Sequence, residues 1–189
     1  MKILLKRTGL GLLIGGLSFG AYLGILQLTG NFHEVIAGEL YRSNQPSAAQ
    51  IASYAKDYGI RSIVNLRGEN SNAAWYGDEV AKAAELGLTH VDFRMSASRE
   101  LSVEEMAQLT NLMRDLPKPI LVHCQSGSDR TGLVSAIYLN QITGIDAKDA
   151  EKQLSIRYGH FGIPYLSAAY PMDESWEKLE ATLARTTGG

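Results

Sequence analysis

Residues 120–132 read ILVHCQSGSDRTG, and no other stretch limits the fold as tightly. A short apolar run, Ile120-Leu-Val122, ends at His123; a six-residue loop of small and polar residues, Cys124 to Asp129, follows; a helix is expected from near Arg130. A strand that feeds a short loop and then a helix puts the loop at the carboxyl edge of a sheet, where α/β folds bind ligands. Loop amides and the helix N-terminus converge there, and such a spot favours an anion.

The rest of the chain alternates in the same manner. Ser47 can cap a helix Ala48–Tyr58 that Gly59 stops. Ile60–Leu66 is short and β-branched, hence a strand, and a helix from about Tyr76 to Leu86 leads to another strand, Leu88–Phe93. Ser102-Val-Glu-Glu105 is a capping box for a helix from Val103 to about Leu116. Further helices are expected from Arg130 to Gln141, from about Ala147 to Tyr158 and from about Asp173 to Ala184. This order predicts an α/β domain with a central, largely parallel sheet flanked by helices.

The N-terminus follows a different pattern. Lys2, Lys6 and Arg7 precede an uncharged run in which Gly9 to Leu28 spans twenty residues, enough to cross roughly 30 Å of hydrocarbon as a helix. It reads as a transmembrane anchor or signal segment; its length and the lack of a small-x-small cleavage site favour the uncleaved helix. Positive charge before the span, with Glu34 and Glu39 after it, keeps the tip in the cytoplasm and exports the remainder, to the periplasm in a bacterium. The expected organisation is a cytoplasmic tip at 1–8, a membrane span at 9–28, a linker at 29–39 and an α/β domain at 40–185. Gly16, Gly20 and Gly24, with Gly11 and Gly15 as a second pair, are spaced so that two such helices could approach as a homodimer.

Other partners are excluded by charge and ligand spacing. Eighteen Lys and Arg against twenty Asp and Glu leave a net charge of −2, with no basic excess to hold a nucleic-acid backbone. A single cysteine cannot form an internal disulfide. His33, His90, His123 and His160 are scattered without the paired spacing of a zinc site, so neither metal nor cofactor is expected.

Within the loop, each residue type suits a phosphate. The helix N-terminus and a nearby guanidinium favour a thiolate, so Cys124 is expected to be a ready nucleophile. Arg130 offers a planar fork that can hold two oxygens of a tetrahedral phosphate and follow them into the transition state. Gly127 lets the backbone curl with its amides inward, and Gln125, Ser126 and Ser128 leave the opening clear.

Cys124-Gln-Ser-Gly-Ser-Asp-Arg130, preceded by His and followed by Thr, resembles the Cys-x5-Arg signature of the cysteine-dependent tyrosine and dual-specificity phosphatase superfamily. The likeness runs from about Leu40 to Tyr158, and Leu40-Tyr-Arg-Ser-Asn-Gln-Pro-Ser47 resembles the opening of the bacterial dual-specificity-like branch. It implies that Cys124 attacks phosphorus to give a phosphocysteine, that Arg130 and the loop 125–130 bind the phosphoryl oxygens, and that water then hydrolyses the intermediate without a metal. By the same resemblance His123 orients the loop, and the Thr131 hydroxyl hydrogen-bonds the sulfur.

The general acid departs from the family pattern, in which an upstream loop supplies an aspartate. Here that loop reads Arg-Met-Ser-Ala-Ser-Arg-Glu, Arg94 to Glu100, and the aligned position lies near Ser98. Three carboxylates compete: Asp129 inside the phosphate loop, an arrangement similar to that of myotubularin-like lipid phosphatases, then Asp92, then Glu100. His160 in Arg157-Tyr-Gly-His160 reads as a satisfied histidine at a solvated helix end.

The expected function is hydrolysis of phosphotyrosine, and secondarily phosphoserine or phosphothreonine, on protein. The alternatives are a phospholipid or soluble phosphate ester at the membrane face, and a non-hydrolysing phosphate-binding module. The loop itself contains no lysine or second arginine, which argues against a highly phosphorylated inositol.

Overall fold

The computed structural model describes residues 2–187, and their side chains from 13 to 185. Helix α1 (Lys2–Leu28) leads into the antiparallel strands β1 (His33–Ile36) and β2 (Leu40–Ser43). Then come α2 (Ala48–Tyr58), β3 (Ser62–Asn65), α3 (Ala74–Glu85), β4 (Thr89–Asp92), α4 (Val103–Asp115), β5 (Ile120–His123) and α5 (Asp129–Gln141). The chain closes with α6 (Ala147–Ala150), two 3₁₀ turns (Glu151–Gln153 and Ile156–Tyr158) and α7 (Pro171–Thr187).

The five strands lie in the order β1-β2-β5-β3-β4. Apart from the β1–β2 pair every pairing is parallel, so the sheet is mixed, with β5 at its centre. Segment 29–39, read from sequence as a linker, thus contributes an edge strand; His33-Glu-Val-Ile36 is too short and too polar to show a strand period.

Period-2 alternation sorts the strand residues to two faces. Leu40, Val64, Ile120 and Val122 pack in the main core with Leu109 and Met113 of α4, Leu133 and Ile137 of α5, and Trp176 of α7. On the other face Tyr41 and Leu121 join Ile60, while Ile63 packs with Ile51 of α2 and Ala83 of α3. α5 is buried all round from Thr131 to Leu139, as suits a helix at the centre of its layer. The caps read from sequence are present: Ser47 and Ser102 each close a capping box with the residue three positions on. The helix expected over Ala147–Tyr158 is instead a single turn and two 3₁₀ turns broken at Leu154 and Ser155, where the chain bends back toward β2.

The expected transmembrane helix is corrected. Among the described residues, no helix is long and apolar enough to cross a membrane. The last turns of α1 are instead committed to the domain. Leu26 is buried, the Tyr22 hydroxyl donates to the Arg157 carbonyl at 2.6 Å, Phe19 meets Phe161 edge to face, and Gln27 Nε2 donates to the Ser126 carbonyl at 3.1 Å. Polar tips that bond to protein cannot at the same depth face hydrocarbon. With the span goes the single-pass membrane placement and exported orientation drawn from it. The side chains of Lys2, Lys6 and Arg7, and position Gly11, lie outside the described side chains. Gly16, Gly20 and Gly24 have nothing within 4 Å of where a Cβ would stand, so the structure gives their spacing no packing role and the homodimer no support.

Trp176, 1% exposed, holds α7 against α4 and α5. Trp176→Ala should lower unfolding free energy by about 3–5 kcal/mol, read as a reduced urea midpoint at unchanged m-value.

Candidate active site

β5 carries His123 to its end, and Cys124 stands just beyond it, 1% exposed. Gly127 N donates to Cys124 Sγ at 3.2 Å, so the loop curls over the sulfur. Gly127 has φ +73°, and a Cβ there would stand 2.6 Å from Asn44 N and 2.7 Å from the Ser43 carbonyl. Both the left-handed backbone and the close approach of β2 require glycine.

The loop's carbonyls are pulled outward by donors from elsewhere. Arg42, fully buried in β2, donates from Nη2 to the carbonyls of Gly127 (2.8 Å) and Ser128 (3.2 Å), and from Nη1 to the carbonyl and Oε1 of Gln153 (3.0 and 2.8 Å). Its guanidinium lies 3.9 Å from the centre of the Tyr158 ring. Burial lowers its pKa to about 10, which leaves it charged at neutral pH. Gln27 and Asn31 Nδ2 (3.0 Å) hold the Ser126 carbonyl in the same way. A peptide plane whose carbonyl is held outward aims its N–H toward the centre of the loop, and successive inward amides make an anion cradle.

Beneath the loop, His123 is wholly buried and shares the Glu79 carboxylate with His90, at 3.1 and 2.8 Å from Oε1; Gln45 Nε2 donates to Oε2 at 2.5 Å. Burial alone would raise the Glu79 pKa, but the bonds from His123, His90 and Gln45 outweigh it and bring it down to about 2. Gln45 also accepts from Arg67 Nη1 at 2.8 Å.

Arg130 Nη1 donates to the carbonyls of Leu66 and Met95, both at 3.3 Å, which fixes the guanidinium between the loops after β3 and β4. It opens on a cavity of about 640 Å³ lined by Arg67, by the segment Arg94 to Arg99, by Asp129 and Arg130, and by Ala168 and Ala169. The arginine missing from the loop sequence is thus supplied by neighbouring loops: Arg67, Arg94 and Arg99 share the cavity with Arg130.

The three carboxylates expected from sequence have separate fates. Asp129 lines the cavity beside Arg130. Asp92 lies outside it, its two oxygens taken by Asn65 Nδ2 (2.7 Å) and the Tyr76 hydroxyl (2.6 Å). Glu100 pairs with Lys178, also away from the cavity. Ser98 lines the wall, so the upstream loop brings no carboxylate there. Thr131 is buried, and its hydroxyl has no hydrogen-bond partner among the described residues; the expected bond to sulfur is not made.

His160 is buried rather than solvated, at 3% exposure, and bridges two carboxylates: Nδ1 to Asp129 Oδ1 at 2.8 Å and Nε2 to Asp173 Oδ2 at 3.0 Å. Burial opposes its charge, but the bonds to Asp129 and Asp173 prevail and raise its pKa to about 9. Arg42, Glu79 and His160 were not singled out as site residues from sequence, because each meets the loop or its base through a partner distant in sequence: Arg42 with Gly127, Glu79 with His123 and His160 with Asp129. The family-like Leu40-to-Ser47 stretch was the one available pointer, to Arg42.

Comparison with known proteins agrees with this geometry. Residues 23–152 match the model of the tyrosine phosphatase family. The chain belongs to that family, whose members are cysteine-based phosphatases of the tyrosine and dual-specificity type. A curated relative, the dual specificity protein phosphatase TpbA of Pseudomonas aeruginosa, is 32% identical over 123 residues, 65% of this chain and 52% of TpbA. The chain spans about half the length of the curated relatives it matches. In fold it is similar to the crystal structure of a cysteine-to-serine TpbA in complex with phosphotyrosine (21% identity, TM-score 0.58, covering 82% of this chain and 91% of that one). It is also similar to PTPMT1 in complex with PI(5)P (13% identity, TM-score 0.60, covering 81% and 99%).

Because the folded pKa of His160 lies above its ordinary 6.5, its bonds stabilise the fold fully below about pH 6.5, and that contribution is lost as pH rises through about 9. Urea midpoints of wild type and His160→Gln, compared from pH 6 to 9.5, should differ most at the acid end and converge at the alkaline end.

Proposed function

We propose that the protein is a phosphomonoester hydrolase that works through a phosphocysteine at Cys124, acting on phosphotyrosine in protein. One observation carries the reading: Arg42, Asn31 and Gln27 hold the carbonyls of residues 126–128, and the Gly127 N–H points at Cys124 Sγ. That arrangement suits a tetrahedral dianion and, better, the trigonal-bipyramidal species between two tetrahedral ones.

In the first step Cys124 Sγ attacks phosphorus as the thiolate; the S–P bond forms, the ester P–O bond breaks, and the leaving oxygen takes a proton that Asp129 passes on from the His160 imidazolium. In the second, water attacks phosphorus as the S–P bond breaks, its proton returns through Asp129 to His160, and inorganic phosphate and the Cys124 thiolate are released. Positive charge for both transition states comes from Arg130 and the loop amides, so the steps require no metal.

Asp129 is assigned the proton transfers. It lines the cavity, and its Oδ1 is fixed by His160 while Oδ2 has no hydrogen bond among the described residues. A carboxylate clamped by one oxygen presents the other in a single direction, which is what a general acid and base requires. Asp92, bonded at both oxygens, and Glu100, paired to Lys178, lack a free oxygen in the cavity. The choice of phosphotyrosine leans on TpbA, a dual-specificity protein phosphatase whose structure has been solved with phosphotyrosine. The cavity volume also falls within the range of small-ligand pockets.

Wild type should hydrolyse p-nitrophenyl phosphate in the presence of a chelator, with inhibition by vanadate, and Cys124→Ser should not. Indistinguishable wild type and Cys124→Ser would overturn the enzymatic reading in favour of a phosphate-binding module. Asp129→Asn should lower turnover by about 10²–10⁴-fold on alkyl phosphates and markedly less on p-nitrophenyl phosphate, whose leaving group needs little protonation; equal losses on both would move Asp129 from proton transfer to binding.

A further inference from the structure

The cavity holds more positive charge than one phosphate needs. Its wall carries Arg67, Arg94, Arg99 and Arg130 against the single carboxylate of Asp129, in a chain whose net charge is −2. Arg99 is neutralised by a two-pronged pair with Glu105, at 2.6 and 3.1 Å. Arg130 belongs to the phosphate loop. Arg67 and Arg94 remain, and among the described residues neither pairs with a carboxylate; their bonds go to neutral oxygens, Gln45 Oε1 and the Glu69 carbonyl.

Both are held in place. The Arg67 guanidinium lies 3.6 Å from the centre of the Trp75 ring while Nη1 is anchored on Gln45. The stack and the bond fix the fork with donors to spare, a preorganisation that lysine could not provide. Arg94 crosses directly over Gly68, where a Cβ would stand 2.5 Å from Arg94 Cβ and 2.9 Å from its Nε. Glycine at 68, with φ +72°, leaves the room in which Arg94 lies. Burial and the nearby Arg130 lower the Arg67 pKa, so an anion between these two cations would relieve both.

We infer that Arg67 and Arg94 form a second anion subsite beside the phosphate loop, and that the protein selects substrates carrying another anionic group close to the scissile phosphate. This rests on the hydrolase reading above and specifies its substrate class. The recognised chemistry is a phosphate or carboxylate that accepts from one or both guanidiniums while the scissile phosphate occupies the loop. Its source is either an acidic side chain next to phosphotyrosine or a second phosphate on a small ester.

Steady-state kinetics on the full chain test this. The substrates are phenyl phosphate, 1,3-phenylene bisphosphate, and two phosphotyrosyl peptides identical except for flanking Glu or Gln. Wild type should favour the doubly anionic member of at least one pair by about tenfold in kcat/KM, and the favoured pair identifies the source. Arg67→Gln and Arg94→Gln should each abolish most of that preference through KM, and in Arg94→Gln phenyl phosphate should change less than about twofold. No preference in wild type, or equal losses on singly and doubly charged substrates, overturns the subsite. Calorimetric titration of Cys124→Ser with orthophosphate and with methylenebisphosphonate separates this from failure of the hydrolase reading. Tighter binding of the bisphosphonate that is lost in Cys124→Ser/Arg94→Gln upholds the subsite even without turnover, and equal binding of the two anions overturns it.

Discussion

The site depends above all on one buried cation. Arg42 lies in β2, flush against the central strand, with no exposed surface, and its four hydrogen bonds reach the phosphate loop on one side and the Gln153 turn on the other. A guanidinium out of water is costly unless its donors are met. Here both terminal nitrogens are met, and the Tyr158 ring covers the face of the group. The consequence is geometric: two carbonyls are fixed outward, so the amide faces of a loop that would otherwise be free to flip are fixed inward. Gly127 makes the approach possible, since any side chain there would strike the backbone of Ser43 and Asn44. β2 and the loop are therefore one unit, and the parallel β2–β5 register, with Ser43 opposite His123, holds the two in step.

A second unit lies on the opposite side of β5. Glu79 reaches from α3 to His123, His90 and Gln45, and Gln45 in turn carries Arg67. Burial by itself pushes the pKa of this carboxylate up; with its partners it stays ionised far below neutrality. Through it, α3, β4 and the segment before α2 are tied to His123, the residue before Cys124. The same chain of bonds ends at a cation on the cavity wall, so the base of the loop and the mouth of the cavity are positioned by one network.

These two units explain what could be read from the sequence and what could not. The loop, its strand and its helix are contiguous, and their chemistry depends on spacing that any linear reading retains. The capping boxes at Ser47 and Ser102 are equally local. Arg42 and Glu79 are not: an arginine in a four-residue strand and a glutamate in a helix of ordinary polarity look solvated until the elements that bury them are in place. β1 has no alternating pattern to mark it as a strand, and over Ala147–Tyr158 helical propensity is overridden where the chain turns back to meet Arg42. The N-terminal run follows the same rule: its length suggests a span, while Tyr22, Leu26 and Gln27 dock on the domain.

The position of Asp129 raises an electrostatic difficulty that His160 resolves. In the proposed reading a carboxylate in the phosphate loop faces the substrate dianion, and like charges at short range repel. An upstream loop that could keep its acid at a distance instead contributes Arg94, Ser98 and Arg99 to the cavity. His160 sits on the far side of Asp129, charged at neutral pH and itself secured by Asp173 of α7. An imidazolium there screens the carboxylate from behind while leaving its second oxygen toward the substrate. Both residues lie beyond position 152, past the segment that matches the family model. In the proposed reading, therefore, moving the acid into the loop is coupled to the C-terminal segment and α7, and the charge that makes the move tolerable comes from a part of the chain outside that matched segment.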